Sequence, residues 1–200
     1  MNPHPRVLVF ISGQGTNLQA LIDAVNTGII DGEIVGVISN RSSAFGLERA
    51  KKAGIQTELI PYAPHKTALD PKSSYDQHLA ERVHMFRPDL IVLAGFMRIL
   101  TTAFLSRVSI PMFNLHPALP GTYDGIQAME RAWSDFQAGR IENTGVMVHE
   151  VIEQVDGGPV LGTRSLKMSQ FDNFQSFKSA MHALERELLV EIVRDWCHSR

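Results

Sequence analysis

Five successive apolar residues, Val7-Leu8-Val9-Phe10-Ile11, stop at Ser12-Gly13-Gln14-Gly15, and apolar residues then recur at Leu18, Leu21, Ile22 and Val25. An unbroken apolar run rich in β-branched residues suits a strand buried on both faces, as in a parallel sheet. The later recurrence, three and four residues apart, is that of a helix, closed by Asn26-Thr27-Gly28. Strand, glycine turn and helix form a unit that leaves few architectures open. Parallel strands are joined by crossovers, so helices must cover the sheet faces.

The unit repeats. Ile34–Ser39 reads as a second strand and Ala44–Ala53 as a second helix, closed by Gly54. Thr57–Ile60 is a short third strand, followed by a polar stretch containing Pro61, Pro64 and Pro71. Ser74–Phe86 is a third helix, stopped by Arg87-Pro88, and Leu90–Ala94 is the fourth and most apolar strand. Gly95 to Leu100 leads into a short helix over Thr102–Ser106, and Met112–His116 is a fifth strand. The second half changes character. Gln127–Ala138 is helical, Thr144–Ile152 and Val160–Lys167 are strands joined through Asp156-Gly157-Gly158-Pro159, and Phe174–Asp195 is a long amphipathic helix. The expected fold is α/β and Rossmann-like: a mostly parallel central sheet, helices on both faces and a long C-terminal helix. Residues 1–200 are expected to form a single domain.

Composition narrows the partners. A formal net charge of -2 leaves no bulk basic bias, so nucleic acid is not an expected partner. Cys197 is the lone cysteine, which rules out an internal disulfide framework and suits a reducing compartment. It is read as a packed thiol on the last helix. No Cys/His ligand cluster is present, so no metal is expected. The Val7–Ile11 run is far too short to span a bilayer, and the N-terminal residues show no signal or transit peptide. A cytoplasmic enzyme without membrane contact is the expectation.

Four segments carry residue types suited to chemistry. Gly13-Gln14-Gly15-Thr16-Asn17 puts close-approach glycines before a helix N-terminus, a good setting for phosphate. The dinucleotide fingerprint would need a third glycine where Leu18 stands, and there is no Walker lysine, so a small phosphorylated ligand fits better. The plainer reading is a tight turn capped by Thr16 or Asn17. In Asn114-Leu115-His116-Pro117, strand alternation puts Asn114 and His116 on one face at a strand's carboxyl end, where open α/β sheets bind ligands. Asn suits an oxyanion donor and His a general acid or base. A buried structural histidine is the plainer alternative. Asp156-Gly157-Gly158-Pro159 can turn a carboxylate into a cleft, where it would raise the pKa of a neighbouring imidazole, or it is an ordinary hairpin turn. Gly95-Phe96-Met97-Arg98-Ile99-Leu100 can wall a flat aromatic ligand, with Arg98 pairing to a carboxylate or lying on the surface. Core packing explains it equally well. His149 reads as a structural strand histidine, and His182 and Glu185 as solvated helix positions.

In this order and at this spacing, the four segments resemble the folate-dependent phosphoribosylglycinamide formyltransferase family, with fungal-like features. The likeness runs from about Val7 into the last helix. It is most specific in Ile11 to Ala20, Leu93 to Leu100, Asn114 to Pro117 and Asp156 to Pro159, and Ser39-Asn40 and Ala44 to Ala50 also match. The resemblance implies a formyltransferase fold and transfer of formyl from 10-formyltetrahydrofolate to the amine of glycinamide ribonucleotide in purine synthesis. It also implies roles: Gly13, Gly15, Thr16 and Asn17 on the phosphate, Glu185 on the ribose hydroxyls, and Lys72, Met97, Arg98, Ile99, Leu100 and Asn114 at the folate. Asn114 and His116 would stabilise the oxyanion, His116 would donate a proton, and Asp156 would tune it. The stretch Ala118 to Met129 lacks the histidines usual in bacterial members, the Trp133–Asn143 loop is longer, and Val146-Met147 replaces a small hydroxyl pair. Other formyl-folate enzymes, the hydrolase and methionyl-tRNA formyltransferase, usually carry a further domain for which 200 residues leave no room. A non-catalytic phosphate-binding module would leave Asn114, His116 and Asp156 unexplained. A Rossmann oxidoreductase would need the missing glycine.

Overall fold

The computed structural model of the chain describes residues 4–200, so the first three residues of the stretch read as lacking a leader lie outside the described residues. Its elements run β1 (Arg6–Ile11), α1 (Thr16–Asn26), β2 (Glu33–Ser39), α2 (Gly46–Lys52), β3 (Thr57–Leu59), α3 (Pro71–Phe86), β4 (Leu90–Leu93), α4 (Thr102–Leu105), β5 (Met112–His116), α5 (Ala128–Gln137), β6 (Asn143–Glu150), β7 (Val160–Lys167) and α6 (Phe174–His198). The strands form one seven-stranded sheet in the order β3-β2-β1-β4-β5-β6-β7. Pairings from β3 to β5 are parallel, and the β5–β6 and β6–β7 pairings are antiparallel. The strand order reverses direction of growth at β1, so the carboxyl ends of β1 and β4 flank the crevice where such sheets take ligands.

Alternation along the strands divides the core. Val7, Val9 and Ile11 of β1, with Leu90 and Val92 of β4, pack with Leu18 and Leu21 of α1, Leu47 of α2 and Phe177, Leu188 and Val193 of α6. Leu8, Phe10, Ile91 and Leu93 face the other way, onto Tyr75, Leu79 and Val83 of α3 and Phe104 of α4. Both layers are needed because these strands expose nothing on either face. Cys197 is buried in the first layer, and burial pushes its thiol pKa up to about 11, which keeps it protonated and inert.

The third helix begins three residues earlier than the periodicity predicts. Asp70 accepts a hydrogen bond from the Ser73 N–H (3.1 Å), and Pro71 follows as the first helical residue. Proline at that position loses only an N–H that has no intrahelical partner, so what reads as a proline-rich loop is a capped start. Among the described residues no helix is long and apolar enough to cross a membrane.

Candidate active site

β5 presents Asn114 and His116 on the face opposite Phe113 and Leu115, which belong to the layer under α6. β6 obeys the same parity, and its register sets His149 directly across from Asn114 and Met147 across from His116. Helices on this face come from α3 and α4, so over β5 and β6 the loops after β5 and before β7 complete the cover. The result is a compact polar cluster. Asp156 is its centre: Oδ1 accepts from Asn114 Nδ2 (3.2 Å) and lies 3.4 Å from His149 Nε2. Oδ2 accepts from the Gly125 N–H (2.8 Å) and lies 3.4 Å from His116 Nδ1. Asp156 reaches this position from a left-handed backbone conformation (φ 51°), which Asp and Asn tolerate better than other side chains. It is therefore no ordinary hairpin turn.

The tautomers follow from partners that only accept. His149 Nδ1–H donates to the Glu150 carbonyl (2.8 Å), which leaves Nε2 as the acceptor for Asn114 Nδ2 (3.1 Å). His116 Nε2–H donates to the Tyr123 carbonyl (3.2 Å), which aims Nδ1 at the Asp156 carboxylate. The Asn114 amide thus spends both hydrogens inside the cluster, and one must be exchanged when it donates to a ligand. Burial is the largest influence on His116 and pushes its pKa below the ordinary histidine value, although Asp156 and the Tyr123 carbonyl push it up. This corrects the expectation that the adjacent carboxylate raises it: His116 is 4% exposed, and loss of hydration outweighs one anion. For Asp156, burial pushes upward, but contacts with His149, the Gly125 N–H and the imidazoles prevail and hold it below the usual carboxylate value.

Both shifts make the cluster acid-sensitive. A folded-state His116 that is harder to protonate favours the fold above about pH 6.5, and that contribution fades as pH falls toward the folded pKa. A depressed Asp156 contributes above about pH 4 and is lost as pH falls through its folded pKa. An NMR titration of His116 is expected to show a midpoint below that of a free histidine, and lower again in Asp156→Asn, which removes the upward influence. A midpoint that rises in Asp156→Asn would contradict the balance described.

Two loops flank this cluster. After β1, Gly15 caps α1 in the left-handed conformation (φ 70°) with no side chain capping the helix. The expectation of a Thr16 or Asn17 cap is corrected: Thr16 is exposed, and Asn17 Oδ1 is buried without a partner. The α1 N-terminus keeps its free N–H groups. After β4, Met97 and Ile99 are exposed apolar residues (64% and 65%), Leu100 is buried, and the Met97 N–H donates to Ser12 Oγ (2.7 Å). Arg98 neither pairs with a carboxylate nor lies free on the surface. Its guanidinium stacks over Tyr62 (3.7 Å) and Tyr75 (4.6 Å), with Nε buried and unpartnered. Tyr75 comes from α3, which has no visible relation to Arg98 along the chain.

The Met97–Leu100 segment is anchored behind by Asp76, whose Oδ2 accepts from the Thr101 N–H (2.7 Å) and hydroxyl (2.5 Å). Burial raises the Asp76 pKa despite these bonds, so its charge opposes folding at neutral pH and the penalty eases as pH falls through the folded pKa toward the unfolded value. Asp76→Asn retains an acceptor without the charge and is expected to hold or raise the melting temperature at pH 8. Asp76→Ala leaves two donors unpaired and is expected to cost about 1–3 kcal/mol. Equal melting temperatures for the two variants would refute this account. Lys72 is exposed on α3, one turn before Asp76. Glu185, read as solvated, is buried (6% exposed), with Oε2 2.6 Å from His182 Nδ1. The His-x-x-Glu spacing on one helix face is the signal that finds this pair.

A cleft of about 800 Å³ between α1 and α6 has Thr16, Gln19, Arg49, Arg186 and Arg194 on its walls. A cleft of about 560 Å³ lies between α4, the start of β5 and Glu150–Glu153. Neither is lined by Asn114, His116, His149 or Asp156.

The whole chain is similar to known proteins. The family model described as formyl transferase matches residues 5–193. A phosphoribosylglycinamide formyltransferase of Schizosaccharomyces pombe is 42% identical over 195 residues, covering 94% of each chain. One from Dictyostelium discoideum is also 42% identical, covering 94% of this chain and 96% of its own. The crystal structure of glycinamide ribonucleotide transformylase 1 from Symbiobacterium toebii superposes with a TM-score of 0.89 at 31% identity, covering 100% of this chain and 91% of that one.

Proposed function

The chain belongs to the formyl transferase family, and from that premise we propose that its polar cluster transfers formyl from 10-formyltetrahydrofolate to the amine of glycinamide ribonucleotide. The activity is phosphoribosylglycinamide formyltransferase, a step of purine synthesis, with formyl-folate as co-substrate. The observation that carries the residue assignment is the convergence of Asn114 and His116, from the end of β5, with Asp156, from the loop before β7.

The amine nitrogen attacks the formyl carbon, and the carbonyl electron pair moves onto oxygen. Asn114 Nδ2–H and protonated His116 stabilise that oxyanion. The attacking nitrogen then loses a proton to water, the folate nitrogen gains one from His116 as the carbon–nitrogen bond to folate breaks, and solvent returns a proton to the imidazole. His116 is the proton donor at that leaving nitrogen. Its depressed pKa makes the imidazolium a stronger acid than a free one, and the Asp156 carboxylate balances the charge while it persists. His149 holds Asn114 through an Nε2 lone pair fixed by the Glu150 carbonyl.

The remaining assignments follow position. Gly13, Gly15, Thr16 and Asn17 hold the phosphate at the α1 N-terminus, where no side chain caps the helix, and Glu185 takes the ribose hydroxyls. Met97, Ile99 and Leu100 line the folate with Asn114. Lys72 supplies a cation, and Arg98 contributes through its backbone and by fixing the segment. The chain acts in the cytoplasm on small molecules.

Incubating the purified chain with both substrates and following the folate absorbance change tests the reaction. Transfer should depend on glycinamide ribonucleotide. Folate release with water alone, and no formylated ribonucleotide, would replace the reading with that of a hydrolase.

A further inference from the structure

Ala44 to Ala50 is part of the family pattern, yet the reaction above uses none of it. In the structure this segment lies directly behind the glycine loop. The Gly46 N–H donates to the Gly13 carbonyl (3.1 Å), and Arg49 Nε donates to the Gln14 carbonyl (2.8 Å). The Gly15 carbonyl accepts from the Gln19 N–H (2.9 Å), as the first turn of α1 requires. Three successive loop carbonyls are therefore occupied, two by the Gly46–Arg49 segment and one by the first turn of α1. Arg49 also binds Gln19 Oε1 (3.2 Å), while Gln19 Nε2 donates to Asp23 (2.9 Å), so the half-buried guanidinium is fixed from two directions. Contact is close enough that a Cβ on Gly15 would stand 2.5 Å from the Gly46 Cα.

A backbone loop binds an anion only if its N–H groups face the ligand, and a carbonyl turned inward repels it. We propose that Arg49 is a positioning residue for the phosphate of the acceptor substrate: it holds the Gln14 carbonyl away, beside the one Gly46 holds, so that the loop N–H groups face the ligand. This rests on the reading of the Gly13–Asn17 loop as the phosphate site.

The test is steady-state kinetics of Arg49→Met and Arg49→Lys with both substrates varied. In the Met variant the KM for glycinamide ribonucleotide should rise about tenfold or more. The kcat and the formyl-folate KM should stay near the parent values, and the Lys variant, which keeps one donor, should fall between. A merely structural Arg49 would lower the melting temperature and affect both substrates alike, which would overturn the proposal. Direct contact with phosphate would also overturn it, and would flatten the salt dependence of the ribonucleotide KM in Met but not in Lys. Under the positioning role the Met variant keeps the parent salt dependence. Thr16→Glu, an exposed change that places an anion at the loop, separates the two readings. If it raises the ribonucleotide KM while Arg49→Met does not, only the role of Arg49 fails. If Thr16→Glu leaves that KM unchanged, the phosphate reading of the loop fails and this proposal with it.

Discussion

His116→Ala is expected to lower kcat for formyl transfer by about a hundredfold to ten-thousandfold, the range for loss of a positioned acid or base. Two functions disappear together. The proton donor at the leaving folate nitrogen is gone, and the oxyanion keeps only the Asn114 donor. The fold should survive. Asn114 and His149 remain paired, and the Asp156 carboxylate keeps its bonds from Gly125 and Asn114. The Tyr123 carbonyl loses its partner but lies on a loop that water can reach. Substrate binding should change little, because the Gly13–Asn17 loop and the Met97–Leu100 segment, proposed to hold the two substrates, are built from other residues. Single-turnover formation of formylated ribonucleotide, with circular dichroism to verify folding, measures this. A folded His116→Ala enzyme with near-parent turnover would remove His116 from the chemistry.

Asp156→Asn is the second large effect, again expected at about a hundredfold or more in kcat. Its physical basis differs. Asn is nearly isosteric and tolerates the left-handed conformation that Asp156 adopts, so the loop should remain in place. The carboxylate offers one oxygen to Asn114 and the other to the Gly125 N–H. An amide must present an NH₂ to one of those donors, which breaks one bond. It also removes the anion that balances imidazolium at His116, so the protonated form becomes rarer at neutral pH. Turnover should fall while the alkaline limb of its pH profile, where His116 gives up its proton, shifts downward. If activity is lost without any movement of that limb, Asp156 acts only through geometry.

Sequence and structure contributed differently at particular residues. Asn114 and His116 were legible as a pair because alternation on a strand is local: two residues apart means the same face. The glycine loop was legible for the same reason, since conformational permissiveness is a property of the residues themselves. Its capping was not, because Thr16 and Asn17 are good caps by type and only packing against Gly46 and Arg49 sets Gly15 in that role. Arg98 illustrates the limit. Its charge suggests a carboxylate, but the aromatic faces that capture it come from positions 62 and 75.

The parallel α/β framework was determined by sequence alone, because continuous apolar runs and helical spacing are short-range signals that each segment carries. Membership of the polar cluster was decided by tertiary structure. His149 enters because an antiparallel register, spanning 35 residues of chain, sets it opposite Asn114. Asp156 enters because a loop folds back across that register. The direction of the His116 pKa belongs to the same level. Sequence shows a carboxylate that can stabilise its charge, but only the assembled core shows how much water is excluded, and burial is the stronger influence.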